Sequence, residues 1–203
     1  MDTKKRILIQ AKILFSQYGI RNITMDTIAQ ELGLSKKTLY QYFEDKAAMV
    51  YEIVKTHLED EQELIQNLLQ DTANALEALA NMMAYADKIL RFVSPSLLFE
   101  LQKYYPAAFQ LMREKELEFH LPEIRKNLNK GIAEGLFRTE IDVEVIAKMR
   151  LGMMHIAIDT RLYPLETYTP HKVHLELFRF YIYGLLTNKG REVWEKLKMK
   201  NES

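Results

Sequence analysis

After Ser35 the chain places Lys36, Lys37, Thr38, Tyr40, Gln41 and Tyr42 within roughly two helical turns, with Leu39 and Phe43 as the apolar residues among them. Two ammonium groups, a hydroxyl, an amide and two phenols suit a groove of phosphate oxygens and base edges. They do not suit the making or breaking of a bond. Other chemistry has less support. The chain has no cysteine, so it has no thiolate nucleophile, disulfide or thiolate metal site. No Gly-rich phosphate loop or G-x-S-x-G elbow is present. A di-iron bundle needs paired Glu-x-x-His motifs, and the sequence lacks them. His171 and His174 lie three apart with Glu176 nearby, but histidines near a helix start are usually packing or surface residues. We expect no metal, no cofactor and no enzymatic activity.

The elements that would position these side chains are legible. Thr24 precedes Met25, Ile28, Ala29 and Leu32, which recur at helical spacing. Its hydroxyl suits the N-cap. Gly33 stands where a helix end calls for a left-handed residue. Leu34 fills the corner, and Ser35 caps a second helix over about 36–43, with Leu39 and Phe43 inward. So short a connection forces a steep crossing, as in helix-turn-helix pairs. Thr24 and Ser35 thus join Lys36, Lys37, Thr38, Tyr40, Gln41 and Tyr42 as the expected DNA-facing set. A first helix over about 3–18 has Ile7, Ala11, Leu14, Phe15 and Tyr18 on its inner face. Its basic, then apolar start suggests a targeting peptide, but Gln10 and Lys12 interrupt the apolar stretch and no small-residue cleavage site follows.

The run resembles the N-terminal domain of the tetracycline-repressor-like (TetR) family of bacterial transcription regulators. The matching features are Phe15-Ser16-Gln17-Tyr18-Gly19 closing the first helix, Thr24, the Ile28-Ala29 pair, Gly33-Leu34-Ser35, Leu39-Tyr40, Tyr42-Phe43 and Lys46. They cover residues 4–50 closely; the rest matches only as a helical pattern of the right length. The resemblance implies that Tyr42 and Lys46 meet DNA phosphates. It implies that the helix from Lys46 links head to body, and that the last two long helices pair with those of a second copy. It also implies a homodimeric repressor that a small hydrophobic or amphipathic effector releases from a palindromic operator. An effector-independent or protein-controlled regulator is the alternative, followed by a helical ligand carrier or enzyme.

Composition agrees. The chain of 203 residues is 48% hydrophobic and 28% charged, with only 7 Gly and 5 Pro. This points to an all-α protein. We expect a three-helix head over 1–46 and an antiparallel helical effector-binding and dimerisation body over 47–203. The zero net charge hides a basic head: residues 1–46 hold eight basic and five acidic side chains, which favours double-stranded DNA as partner. No apolar run approaches the roughly 20 residues needed to span a bilayer. No membrane partner is expected, and a cytoplasmic location is.

The body reads as helices over about 73–93, 96–104, 106–134, 142–161 and 171–188, with a short one after Gly190. Pro122 predicts a kink near Leu121. A ligand pocket would draw on the aromatic and Met residues Phe92, Phe99, Tyr104, Tyr105, Phe109, Met112 and Met153. His155 and Asp159, one turn apart, would orient a polar group, or satisfy each other or a partner subunit. The helix at 171–188 is apolar on more than one face, so it needs two partners. The expected dimer contacts are Met149, Met153, Phe178, Tyr181, Ile182 and Leu185.

Overall fold

A computed structural model describes residues 2–91 and 95–201. The fold is all-helical; among the described residues no β-strand forms, and one antiparallel bridge joins Phe137 to Leu186. In order come α1 (Thr3–Tyr18), α2 (Met25–Glu31), α3 (Lys36–Tyr42), α4 (Lys46–Gln70), α5 (Ala75–Leu90), α6 (Pro95–Tyr104) and α7 (Pro106–Lys115). A π-helical turn (Glu116–His120) follows, then α8 (Leu121–Ala133), α9 (Val143–Ile158), α10 (Pro170–Leu185) and α11 (Asn188–Asn201). Two compact units form: Met1–Glu61 with Ser94–Lys115, and Gln62–Val93 with Glu116–Ser203. The expected head of 1–46 lies wholly inside the first.

The first unit is built on α1–α3. Ile7, Ala11, Leu14 and Phe15 of α1 are buried with Ile28 and Ala29 of α2, Leu39 of α3, Phe43, and Met49 and Val50 of α4. Leu101 of α6 and Ala108 of α7 belong to the same core. Tyr18, expected inward, is exposed. The α1 helix ends there, and Gly19 takes the next position at φ +82.

The second unit buries Leu76 and Leu79 of α5, Leu128 of α8, Ala147 and Met153 of α9, Phe178 and Ile182 of α10, and Trp194 of α11. Pro122 does not simply kink a long helix. It occupies the first turn of α8, where its missing N–H is tolerated, and the π-helical turn takes up the change of register before it. The last helix is not short. Gly190 sits inside α11 rather than ahead of it, and a Cβ there would come within 2.1 Å of the Leu136 carbonyl oxygen. Glycine serves close packing at this position, not termination. Gly131 does the same for Phe137, whose ring would lie 2.0 Å from an added Cβ. Phe137 is itself fully buried. Gly131→Ala is therefore expected to cost about 1–3 kcal/mol of stability, read as a lower urea midpoint. An unchanged midpoint would show that the ring can shift.

Candidate DNA-binding surface

The α2–α3 corner is set by local hydrogen bonds. Thr24 Oγ1 accepts from the Thr27 N–H at 3.1 Å, and Ser35 Oγ accepts from the Thr38 N–H at 3.0 Å. Gly33, at φ +65, makes the turn between them. The two cap hydroxyls also pair with Thr27 Oγ1 (2.9 Å) and Thr38 Oγ1 (2.8 Å). Buried Leu39 and Phe43 fix which way α3 faces. Lys37, Tyr40, Gln41 and Tyr42 then point into solvent, Tyr40 at 49% exposure. Among the described residues none of these four side chains has a hydrogen-bond or ionic partner, so their donors are available to another molecule. Lys36 is exposed but forms an ion pair with Asp26, bridging α3 to α2.

Lys46 is more embedded than a surface lysine. Its Nζ donates to the Arg21 carbonyl at 3.4 Å and lies 5.9 Å from the Phe15 ring centroid. Burial lowers its pKa, opposed by the Glu100 carboxylate and aided by Arg21. Arg21 and Glu100 are functional candidates that the sequence reading missed. The Arg21 N–H donates to Glu100 Oε2 at 3.0 Å, and its guanidinium donates to Tyr104 Oη at 3.2 Å while lying over that ring. These contacts tie α6 to the α1–α2 loop inside the first unit. Contacts 79 and 83 residues apart leave no periodic trace in the sequence.

The side chains expected to hold a ligand are divided between the two units. Phe92 lies outside the described residues. In the first unit Phe99 is exposed beneath Lys103, Tyr104 faces Arg21, Phe109 is half-buried, and Tyr105 and Met112 pack against the core. In the second unit Met153 is in the core. His155 and Asp159 do not satisfy each other: His155 Nε2 is 3.0 Å from Glu116, and Asp159 binds Arg161 at 2.7 Å. That pairing holds the Asp159 carboxyl down at about 2. An apolar groove of about 580 Å³ runs along α5, α10 and α11, lined by Met83, Leu175, Phe178, Ile182, Trp194 and Leu197 among others. None of the expected ligand residues lines it.

His171 and His174 do not converge. His171 meets Asp87, and the fully buried His174 meets Arg150 at 3.4 Å. Burial, with Arg150 beside it, pushes the His174 pKa down to about 4 from 6.5. Between those values the unfolded chain takes up a proton that the folded chain refuses. The stability that neutral His174 contributes is therefore present above pH 6.5 and lost as pH falls through 4, by up to roughly 3 kcal/mol. Urea midpoints between pH 7.5 and 4.5 are expected to fall less steeply in His174→Gln than in the wild type; parallel curves would contradict this.

Of the expected dimer contacts only Met149 is exposed. Met153, Phe178, Tyr181, Ile182 and Leu185 are spent on the chain's own core. The exposed large apolar side chains of α9 and α10 are Val145, Met149, Ile156, Phe180 and Tyr183, with Phe180 at 81% exposure. Added Cβ atoms at Gly152 and Gly184 would meet open space.

Residues 7–53 match the family model of bacterial regulatory proteins of the tetR family. Those residues form a tetR-family regulatory-protein domain. A relative, the HTH-type transcriptional regulator YdgC of Bacillus subtilis, is 24% identical over 197 residues, covering 95% of this chain and 97% of that one. The transcriptional repressor KstR2 of Mycobacterium tuberculosis is 27% identical over 144 residues, 69% of this chain and 72% of its own. A transcriptional regulator from Saccharomonospora viridis, solved in complex with choline, superposes with a TM-score of 0.72 at 18% identity, covering 91% and 98% of the two chains. Both relatives are transcriptional regulators rather than enzymes. Among the described residues of this chain no helix is long and apolar enough to cross a membrane.

Proposed function

We propose that this chain is a homodimeric, cytoplasmic repressor of the TetR family that reads a palindromic operator and leaves it when a small molecule binds its body. The observation that carries the reading is the face of α3, where Lys37, Tyr40, Gln41 and Tyr42 are exposed and without partners. Two such short helices about 34 Å or more apart read two half-sites. The head of 1–46 would supply this surface, and the body of 47–203 would supply effector binding and dimerisation. Thr24, Ser35 and Thr38 shape the surface. Lys37, Thr38, Tyr40 and Gln41 would reach base edges; Lys36, Tyr42 and Lys46 would meet phosphates.

The second copy would cover Val145, Met149 and Ile156 of α9 and Phe180 of α10. Gly152 and Gly184 would let the paired helices approach closely. An effector shifts operator affinity only by binding one body conformation better than the other. Within the first unit, Glu100 and Tyr104 of α6 hold Arg21, whose carbonyl holds Lys46. A movement of α6 would thus be felt at a phosphate-binding lysine.

The test is selection of bound sequences from random duplex DNA, followed by salt-titrated binding. An enriched palindrome supports a dimeric reader. Weak binding that depends on salt but not on sequence would sink the reading.

A further inference from the structure

The second unit buries a positive charge that no carboxylate among the described residues neutralises. Arg150 is 7% exposed, on the face of α9 that also buries Ala147, Met153 and Ala157. Its Nη2 lies 3.4 Å from Nε2 of His174, and its guanidinium lies 5.3 Å and 5.8 Å from the ring centroids of Phe178 and Tyr181. Among the described residues it forms no ion pair. Asp87, the acidic group whose field reaches His174, is already engaged by Arg91 and His171.

Arginine does not shed its proton in proteins, and a buried cation without a counter-charge is unfavourable. The fold keeps one nonetheless. His174 adds a second loose end. Its Nε2 faces an Arg150 donor, so the tautomer this contact requires carries its proton on Nδ1, and that buried atom has no hydrogen-bond partner. A second copy covering Val145, Met149 and Ile156 would not supply the missing charge, because Arg150 lies on the buried face of α9 instead. Arg150 and His174 do not themselves line the apolar groove of about 580 Å³, but Phe178, over whose ring the guanidinium lies, does, and the groove's size suits a small ligand.

We propose that Arg150, with His174 beside it, is the anion-binding end of the effector site, and that the effector is an amphipathic organic acid. Its carboxylate would pair with the guanidinium as a fork, and its apolar body would lie along the aromatic side chains. This rests on the ligand-responsive reading above and narrows it to one chemical class.

The experiment titrates the full chain, without DNA, with octanoate, octanol and octylamine by calorimetry. Octanoate is expected to bind roughly tenfold or more tighter than the other two. Arg150→Met is expected to erase that preference while leaving octanol binding unchanged. Its ligand-free melting temperature should be equal or higher, since an uncompensated buried charge has gone. A purely structural Arg150 would give the reverse: a lowered melting temperature and no preference for the acid in the wild type. Equal binding of the three probes, or a preference for octanoate that survives the substitution, overturns the proposal. If Arg150→Met fails to fold, the wild-type ranking alone decides. Absence of sequence-specific DNA binding would defeat the regulator reading and leave this ranking intact, so the two failures are distinguishable.

Discussion

Phe180→Glu is expected to turn the proposed dimer into a monomer and to weaken operator binding by roughly 100-fold or more. The side chain is 81% exposed on α10, so the chain's own core loses nothing by the change. A twofold interface repeats every substitution. Two carboxylates would then enter one apolar contact, each losing water without gaining a partner. The loss of DNA affinity follows from the proposed dimer, because each short α3 helix would touch few base pairs and two would have to hold both half-sites together. Sedimentation velocity would report the oligomeric state, and circular dichroism would verify that the helices persist. A dimeric Phe180→Glu protein would show that α9 and α10 do not form the interface through this face. Phe178→Glu is a useful contrast. Phe178 is buried at 1% exposure, so that change should unfold the chain rather than dissociate it.

The second large effect separates the residues of α3 by role. Lys37→Ala, Thr38→Ala and Tyr40→Ala are each expected to cost about 1–3 kcal/mol for the preferred operator and to relax preference at particular base pairs. Tyr42→Phe should instead weaken binding to every sequence alike and make affinity less dependent on salt. Lys46→Ala should do the same, with an added structural component. Its ammonium already donates to Arg21 and lies near the Phe15 ring, so part of its loss would come from the head itself. Lys36 is expected to matter less than Lys37, because Asp26 already engages its charge. The measurement is binding of each variant to the operator and to scrambled duplex across a salt series. Should Tyr42→Phe change sequence preference, or leave both affinity and salt slope untouched, its assignment to a phosphate is wrong.

Much of the head was legible because its determinants are local. Thr24 and Ser35 cap helices within three residues of themselves, and Gly33 adopts a backbone angle that other residues resist. Leu39 and Phe43, four apart, fix the outward face of α3 by fixing the inward one. The same logic located the body's helices but not their ends. Gly190 read as a break and is a packing contact. Pro122 read as a kink and is the first turn of a helix behind a π-helical turn. A local signal names a residue's conformational preference and says nothing of what lies opposite it.

What the sequence by itself determined is therefore the helical class, the helix-turn-helix and the side chains α3 can offer to DNA. Those follow from spacing, capping and backbone freedom within a few residues. Only the tertiary structure decided which apolar face of α10 is core and which is free, sending Phe178, Tyr181, Ile182 and Leu185 inward and Phe180 outward. A helix apolar on two sides carries no mark of which neighbour arrives first. Only the tertiary structure, likewise, showed that Arg150 and His174 meet in the interior with no acid to balance them. A buried charge is defined by what surrounds it, and its surroundings come from helices far apart in the chain.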